Sequence, residues 1–271
     1  MQIGNQIFDV KSHTYIMGIL NRTPDSFSDG GEFFNADVAL YRVQDMIKEG
    51  AHIIDIGGES TRPGHEQITE QEEIERTAPI ISLVKSRFDI PISIDTYKAN
   101  VASQALRAGA DLVNDIWALA YDANMANLIA KTGCACCLMH NRNHLDDTNF
   151  LEGMKSDLQN SIDIAVDAGI REDNIILDPG VGFGKTYEQN LEAISCCEQL
   201  HTWRYPLLLG TSRKSVIGLA LDLPVKERLE GTLVTTVIAV MKRCAFVRVH
   251  DIKENARAIR MAEAIRDDWK K

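Results

Sequence analysis

Short runs of apolar residues recur along the chain, and longer amphipathic stretches separate them. The runs read TYIMGILN, AHIIDIGG, IPISIDT, DLVNDIW, CACCLMH, NIILDPG, YPLLLGTS and AFVRVHD. Each is nearly continuous rather than alternating, which is the pattern of parallel strands covered on both faces. Between them, DVALYRVQDMIKEG and YKANVASQALRAG carry apolar residues at helical spacing. KEGAHIIDI and RAGADLVND share one junction, in which a helical pattern ends at glycine and a strand begins through alanine. Gly50 and Gly109 are therefore expected to close their helices in the left-handed conformation. Eight such alternations without a linker or low-complexity tract predict an α/β fold: a (β/α)8 TIM barrel, one domain over residues 1–271.

Composition narrows the function classes. Lys plus Arg number 29 against 39 Asp plus Glu, for a net charge of -10. That balance argues against general binding to nucleic acid or to an anionic membrane. No apolar stretch approaches the roughly 20 residues of a spanning helix, and MQIGNQIFDV lacks the basic-then-apolar pattern of a leader. Cys134, Cys136, Cys137, Cys196, Cys197 and Cys244 are expected to be reduced thiols, mostly in the core. The CACC spacing does not suit zinc. The expected compartment is the cytoplasm.

The candidate chemistry sits where the apolar runs end. Asn21, Glu59, Asp95, Asn114, His140, Asp178, the Arg213–Lys214 pair, and Arg248 with His250 all terminate such runs. In a barrel these ends converge on the face that carries active sites. Singly, each is as easily a turn residue or a helix cap; together they point to an enzyme.

Several loops sharpen the picture. NRTPDSFSDGG is turn-rich, and Phe27 within it either anchors a hinge or belongs to a lid over substrate. Asn21 can offer oxygen to a metal or nitrogen to a phosphate. In GGESTRPG, Thr61 and Arg62 set a hydroxyl beside a guanidinium that suits phosphate or carboxylate, the plainer alternative being a surface arginine at a turn. Asp95, Asn114 and Asp178 could read the donor edge of an aminopyrimidinone ring. DPGVGFGK lacks Walker spacing. Lys214, Arg248 and His250 bring positive charge to the last two strand ends, where barrels frequently bind phosphate, whereas Arg213 is expected to pair with an acidic neighbour. No Ser-His-Asp or Cys-His pattern announces a nucleophile, so placement of two substrates and stabilisation of a leaving anion are the expected means.

Taken in order, MGILNRTPDSFSDGG, GAHIIDIGGESTRPG, ISIDT, VNDIWA, LMH, ILDPGVGFGK, LLGTSRKS and RVHD resemble the dihydropteroate synthase family over nearly the whole chain. The resemblance implies condensation of hydroxymethyl-dihydropterin pyrophosphate with p-aminobenzoate in folate biosynthesis, with pyrophosphate released. By position it implies a pterin pocket of Asp95, Asn114, Asp178 and Lys214, walled by Ile116, Met139 and Phe183. It implies a pyrophosphate clamp of Asn21, Arg62, Arg248 and His250, with Asn21 also serving Mg2+. Thr61, Arg62, Pro63, Phe183 and Ser215 are similar to the p-aminobenzoate side, with Phe27 and Asp29 on a closing loop. Lys214, Arg248, Asp29 and Phe27 are the residues implied in catalysis. A homodimer and inhibition by sulfonamides are implied as well. Arg22 departs from the Val usual in the family, and the loop MHNRNHLDD is idiosyncratic. Two rival readings are a corrinoid methyltransferase, which would keep the pterin Asp and Asn, and a non-catalytic pterin-binding homologue.

Overall fold

The computed structural model describes residues 1–21, 32–60, 67–142 and 149–268. An N-terminal hairpin, β1 (Gln2–Ile3) and β2 (Gln6–Ile7), precedes the repeating part. Then follow β3 (Tyr15–Asn21), α1 (Glu32–Glu49), β4 (Ile53–Gly57), α2 (Glu70–Arg87), β5 (Ile92–Asp95) and α3 (Ala99–Ala108). The middle holds β6 (Leu112–Asp115), α4 (Met125–Thr132), β7 (Ala135–Met139), α5 (Phe150–Asp167), β8 (Ile175–Asp178) and α6 (Tyr187–Ser195). The last part holds β9 (Leu208–Leu209), α7 (Ser215–Leu221), α8 (Leu229–Met241), β10 (Phe246–Val249) and α9 (Ile252–Asp268).

The eight strands β3 to β10 form one parallel sheet in the order β8-β7-β6-β5-β4-β3-β10-β9. A parallel bridge between Leu177 and Leu207 joins its two ends, so the sheet closes as a (β/α)8 barrel. The expected eight runs are these eight strands. Gly50 and Gly109 have φ of 110° and 111°, and the Gly109 amide closes α3 on Ala105 and Leu106. The hairpin was not expected, since two-residue strands carry no periodic signal.

Alternate residues of each strand face opposite sides. Met17, Ile53, Leu112, Ala135, Cys137, Ile176, Leu208 and Phe246 pack together with Ile3 and Phe8 inside the barrel. The hairpin thus plugs one end, with the Phe8 ring centroid 5.7 Å from that of Phe246. Ile16, Ile54, Ile92, Val113, Leu138, Leu177 and Val247 belong to the separate cluster that packs on the helices. The alternation is hidden in sequence because both faces are apolar. Cys136, Cys137, Cys197 and Cys244 are buried, and all six thiols are free. Among the described residues no helix is long and apolar enough to cross a membrane.

Candidate active site

The inward positions become polar toward the carboxyl ends of the strands. Asn21 is in register with Gly57, Gly57 with Asp95, and Asp95 with Asn114. Met139 is in register with Asp178. These side chains therefore share one rim.

Arg248 spans that rim from β10. Its Nε donates to Asp55 Oδ2 and its Nη2 to Asp95 Oδ2, each at 2.6 Å, which leaves Nη1 outside both contacts. Burial raises Asp95 to about 7; Arg248 opposes the shift and the nearby charge of Asp55 adds to it. Despite its own burial, Arg248 is held above its ordinary value by Asp55 and Asp95. Asp55 was not among the sequence candidates. A signal existed: a carboxylate inside IIDIG cannot be buried without a cation, and FVRV offered one at the same parity.

A second group gathers at β8, β9 and α7. Asp178 Oδ1 accepts from Gly180 N at 2.7 Å, and burial raises its carboxyl against the pull of Lys214. Lys214 Nζ donates to the Val181 carbonyl and lies 4.6 Å from the Phe183 ring centroid. Burial, opposed by Asp178 and aided by Arg248, lowers Lys214 to about 8. A Cβ added to Gly210 would meet Asp178 Oδ2 at 3.6 Å and Arg248 Cβ and Lys214 Nζ at 3.8 Å. Across the rim, a Cβ at Gly57 would meet Asp95 Oδ2 at 3.7 Å and Asn21 Oδ1 at 3.8 Å. Two inward glycines thus leave open the space that these polar groups surround.

An apolar cluster of Tyr97, Ile116 and Met139, with Trp117 and Phe183 against it, borders the same rim. A flat ring would find donors and acceptors at its edge and these side chains at its faces. Ser212 Oγ lies 3.0 Å from His250 Nδ1. Ser215 is exposed at the start of α7. Arg22, Phe27, Asp29, Thr61, Arg62 and Pro63 lie outside the described residues.

Two strand-end residues face elsewhere. His140 sits one position past inward Met139 and turns outward, with Nε2 3.1 Å from Asp157 Oδ2 on α5; burial lowers it to about 3, so the ring is neutral. Glu59 accepts from Tyr97 Oη at 2.5 Å and from Lys98 Nζ at 2.6 Å. Lys98, which sequence reasoning missed, also donates to Glu73 Oε2 at 2.8 Å and to the Ile68 carbonyl at 2.9 Å. This buried cluster supports the rim from outside. Arg213 pairs with Asp251, as expected.

The family of pterin binding enzymes matches residues 17–250. The dihydropteroate synthase of Clostridium beijerinckii is 59% identical over 266 residues, spanning 98% of this chain and 99% of that protein. The crystal structure of dihydropteroate synthase from Clostridium difficile in the presence of pteroic acid has a TM-score of 0.93 and 51% identity, covering 96% of this chain and 99% of that one. That of the Yersinia pestis enzyme in a sulfonamide drug complex has a TM-score of 0.91 and 40% identity, covering 98% of each chain. The chain belongs to the pterin-binding enzyme family and, within it, to the dihydropteroate synthases.

Proposed function

We propose that the barrel mouth joins hydroxymethyl-dihydropterin pyrophosphate to p-aminobenzoate, as a dihydropteroate synthase of folate biosynthesis. The observation that carries this reading is the convergence of Asp178, Lys214 and Arg248 around the inward face of Gly210. Asp178, Asp95 and Asn114 would take the donor edge of the pterin, with Lys214 over its ring and Ile116, Met139 and Phe183 as walls. Dry acceptors select strongly for a ligand that supplies the matching donors.

The chemistry is a substitution at the pterin methylene. Its C–O bond breaks, pyrophosphate leaves with the electron pair, and the arylamine nitrogen bonds to the delocalised pterin cation and loses a proton. Arg248 Nη1 and His250 would hold the departing anion, and Arg62 would join them. Asp95, Asp178 and the pterin walls hold the ring while the cation exists. Thr61, Pro63, Ser215 and Phe183 would receive the arylamine, with Phe27 and Asp29 closing over it.

Asn21 fits a magnesium site of limited kind. It brings one amide oxygen beside the inward face of Gly57, and Mg2+ commonly takes its remaining ligands from water and substrate phosphate. When bound there, the ion would neutralise charge on the diphosphate.

Membership of the dihydropteroate synthases sets the corrinoid methyltransferase aside. The polar rim argues against a degenerate, non-catalytic homologue. Free thiols support a cytoplasmic setting. A homodimer is supported by exposed Val234, Val237 and Met241, which follow one face of α8, an apolar stripe of the kind that pairs with a second copy. Sulfonamides, as arylamine mimics, would compete with p-aminobenzoate. The test is incorporation of labelled p-aminobenzoate into a pterin product. Incorporation that depends on the pterin diphosphate supports the reading; pyrophosphate loss without incorporation contradicts it.

A further inference from the structure

Lys185 ends the segment DPGVGFGK, and the condensation described above makes no use of it. Its ammonium has three N–H groups, and three carbonyls receive them: Gly180 at 2.8 Å, Phe183 at 2.9 Å and His140 at 3.2 Å. The first two lie in the turn after β8, and the third lies just past β7. The turn rests directly on that neighbouring backbone. A Cβ at Gly180 would stand 1.8 Å from the His140 carbonyl oxygen, and one at Gly184 would stand 2.0 Å from that of Arg142. Both glycines hold positive φ, 68° and 53°. Three converging carbonyls repel one another unless a cation or strong donor sits between them.

This turn carries two parts of the pterin site. Phe183 hangs from it as an apolar wall, and the Val181 carbonyl anchors Lys214 Nζ. Asn190 on α6 braces the other side, its Oδ1 accepting from Gly182 N at 2.5 Å. With its three N–H groups engaged by backbone, Lys185 has none directed at a substrate.

We propose that Lys185 is a positioning residue for the pterin slot, its ammonium pinning the Gly180–Gly184 turn to the end of β7 and so fixing Phe183 and the Lys214 anchor. The proposal rests on the pterin reading of the barrel mouth. The pin is sensitive to pH. Burial lowers Lys185 to about 7; Asp178 and Asp157 oppose the shift, and Lys214 and Arg142 add to it. His140 beside it is neutral. A deprotonated amine keeps two donors for three carbonyls, so the pin slackens as pH rises through that value.

The test is calorimetry of a pterin lacking the diphosphate, titrated into the full chain between about pH 6 and pH 8. The wild-type chain is set against Lys185→Met, Lys185→Ala and Lys185→Arg. Lys185→Met is expected to bind about tenfold more weakly near pH 6, with the gap to wild type closing toward pH 8 as the wild-type pin slackens. Asp95 and Lys214 titrate in the same window but are common to both chains. Methylammonium is expected to restore affinity to Lys185→Ala by about threefold or more. Should Lys185→Met not fold, Lys185→Arg carries the test, because a guanidinium stays charged and the affinity of that variant relative to wild type should therefore rise between about pH 6 and pH 8. Affinity within roughly twofold of wild type in Lys185→Met near pH 6, or a ratio of Lys185→Arg to wild type that stays constant between about pH 6 and pH 8, overturns the proposal. A wild-type chain that binds no pterin overturns instead the reading on which the proposal rests.

Discussion

Asp95 holds Arg248 across the barrel mouth, Oδ2 to Nη2 at 2.6 Å, although 153 positions separate them in sequence. Asp55 grips the same guanidinium from below. One cation thus serves two buried carboxylates as well as the site. Arg248→Ala should therefore cost about 3–5 kcal/mol of stability, because it leaves two buried carboxyl groups without the cation they share. It should also weaken a plain pterin together with the diphosphate substrate, since Asp95 loses its support. His250→Ala, which leaves the contacts of Arg248 to Asp55 and Asp95 in place, should weaken the diphosphate alone. Urea unfolding and calorimetry with both ligands check this. Equal selectivity of the two variants for the diphosphate would show that Arg248 acts only as a clamp.

The pH dependence of the pair follows from its sign. Folded Asp95 stands near 7, above the ordinary carboxylate value of 3.8, so the folded state binds the extra proton between these values. Its contribution to stability is full at the acid end and is lost as pH rises through about 7. Asp55→Asn removes a neighbouring negative charge and should lower the Asp95 value, moving that loss to lower pH. Carbon-13 titration of the Asp95 carboxyl reads it directly, and an unmoved midpoint would mean that Asp55 is not felt.

Gly210→Ala should separate pocket shape from fold. The added methyl meets Asp178, Arg248 and Lys214 at 3.6–3.8 Å, ordinary contact that the chain tolerates. It fills the space a ring needs. Pterin affinity should fall by about tenfold or more, with Tm shifted by about 3 °C or less. Unchanged affinity would place the ring elsewhere.

Lys98→Met should expose the cost of the buried cluster behind the rim. Glu59 and Glu73 would then lose the cation they share, at about 3–5 kcal/mol. Burial already raises Glu73 against the pull of Lys98, and losing Lys98 raises it further. A carboxyl raised in the folded state loses stability as pH climbs. The deficit against wild type should therefore be larger near pH 8 than near pH 5. A deficit independent of pH between about 5 and 8 would mean that packing, not charge, is lost.

Much of this was legible in the chain, and the gaps have physical causes. Eight apolar runs marked eight strands, and their polar ends marked the rim. Side-chain parity was not legible, because a strand buried on both faces shows no alternation. Hence His140 was grouped with the rim although it turns toward Asp157, and Asp55 was passed over inside its apolar run. Lys185 and Lys98 were missed for another reason. Lys98 meets carboxylates that only the fold brings close, and Lys185 ties its own turn to the distant His140 carbonyl, a contact that no local spacing encodes. Arg213 was expected to pair with an acidic neighbour, and that neighbour is Asp251, just past the end of β10.

The most direct test of the account is pyrophosphate release by wild type and by Asp178→Asn. Each is assayed with the pterin diphosphate alone, with p-aminobenzoate alone, and with both. Asp178→Asn sets an amide donor against the donor edge of the ring, a loss of about 2–4 kcal/mol in pterin binding. The expected result is rapid release by wild type only when both substrates are present, and a fall of about 30-fold or more in kcat/KM for the variant. Release that ignores p-aminobenzoate, or a variant as active as wild type, would contradict a pterin-condensing site at Asp178.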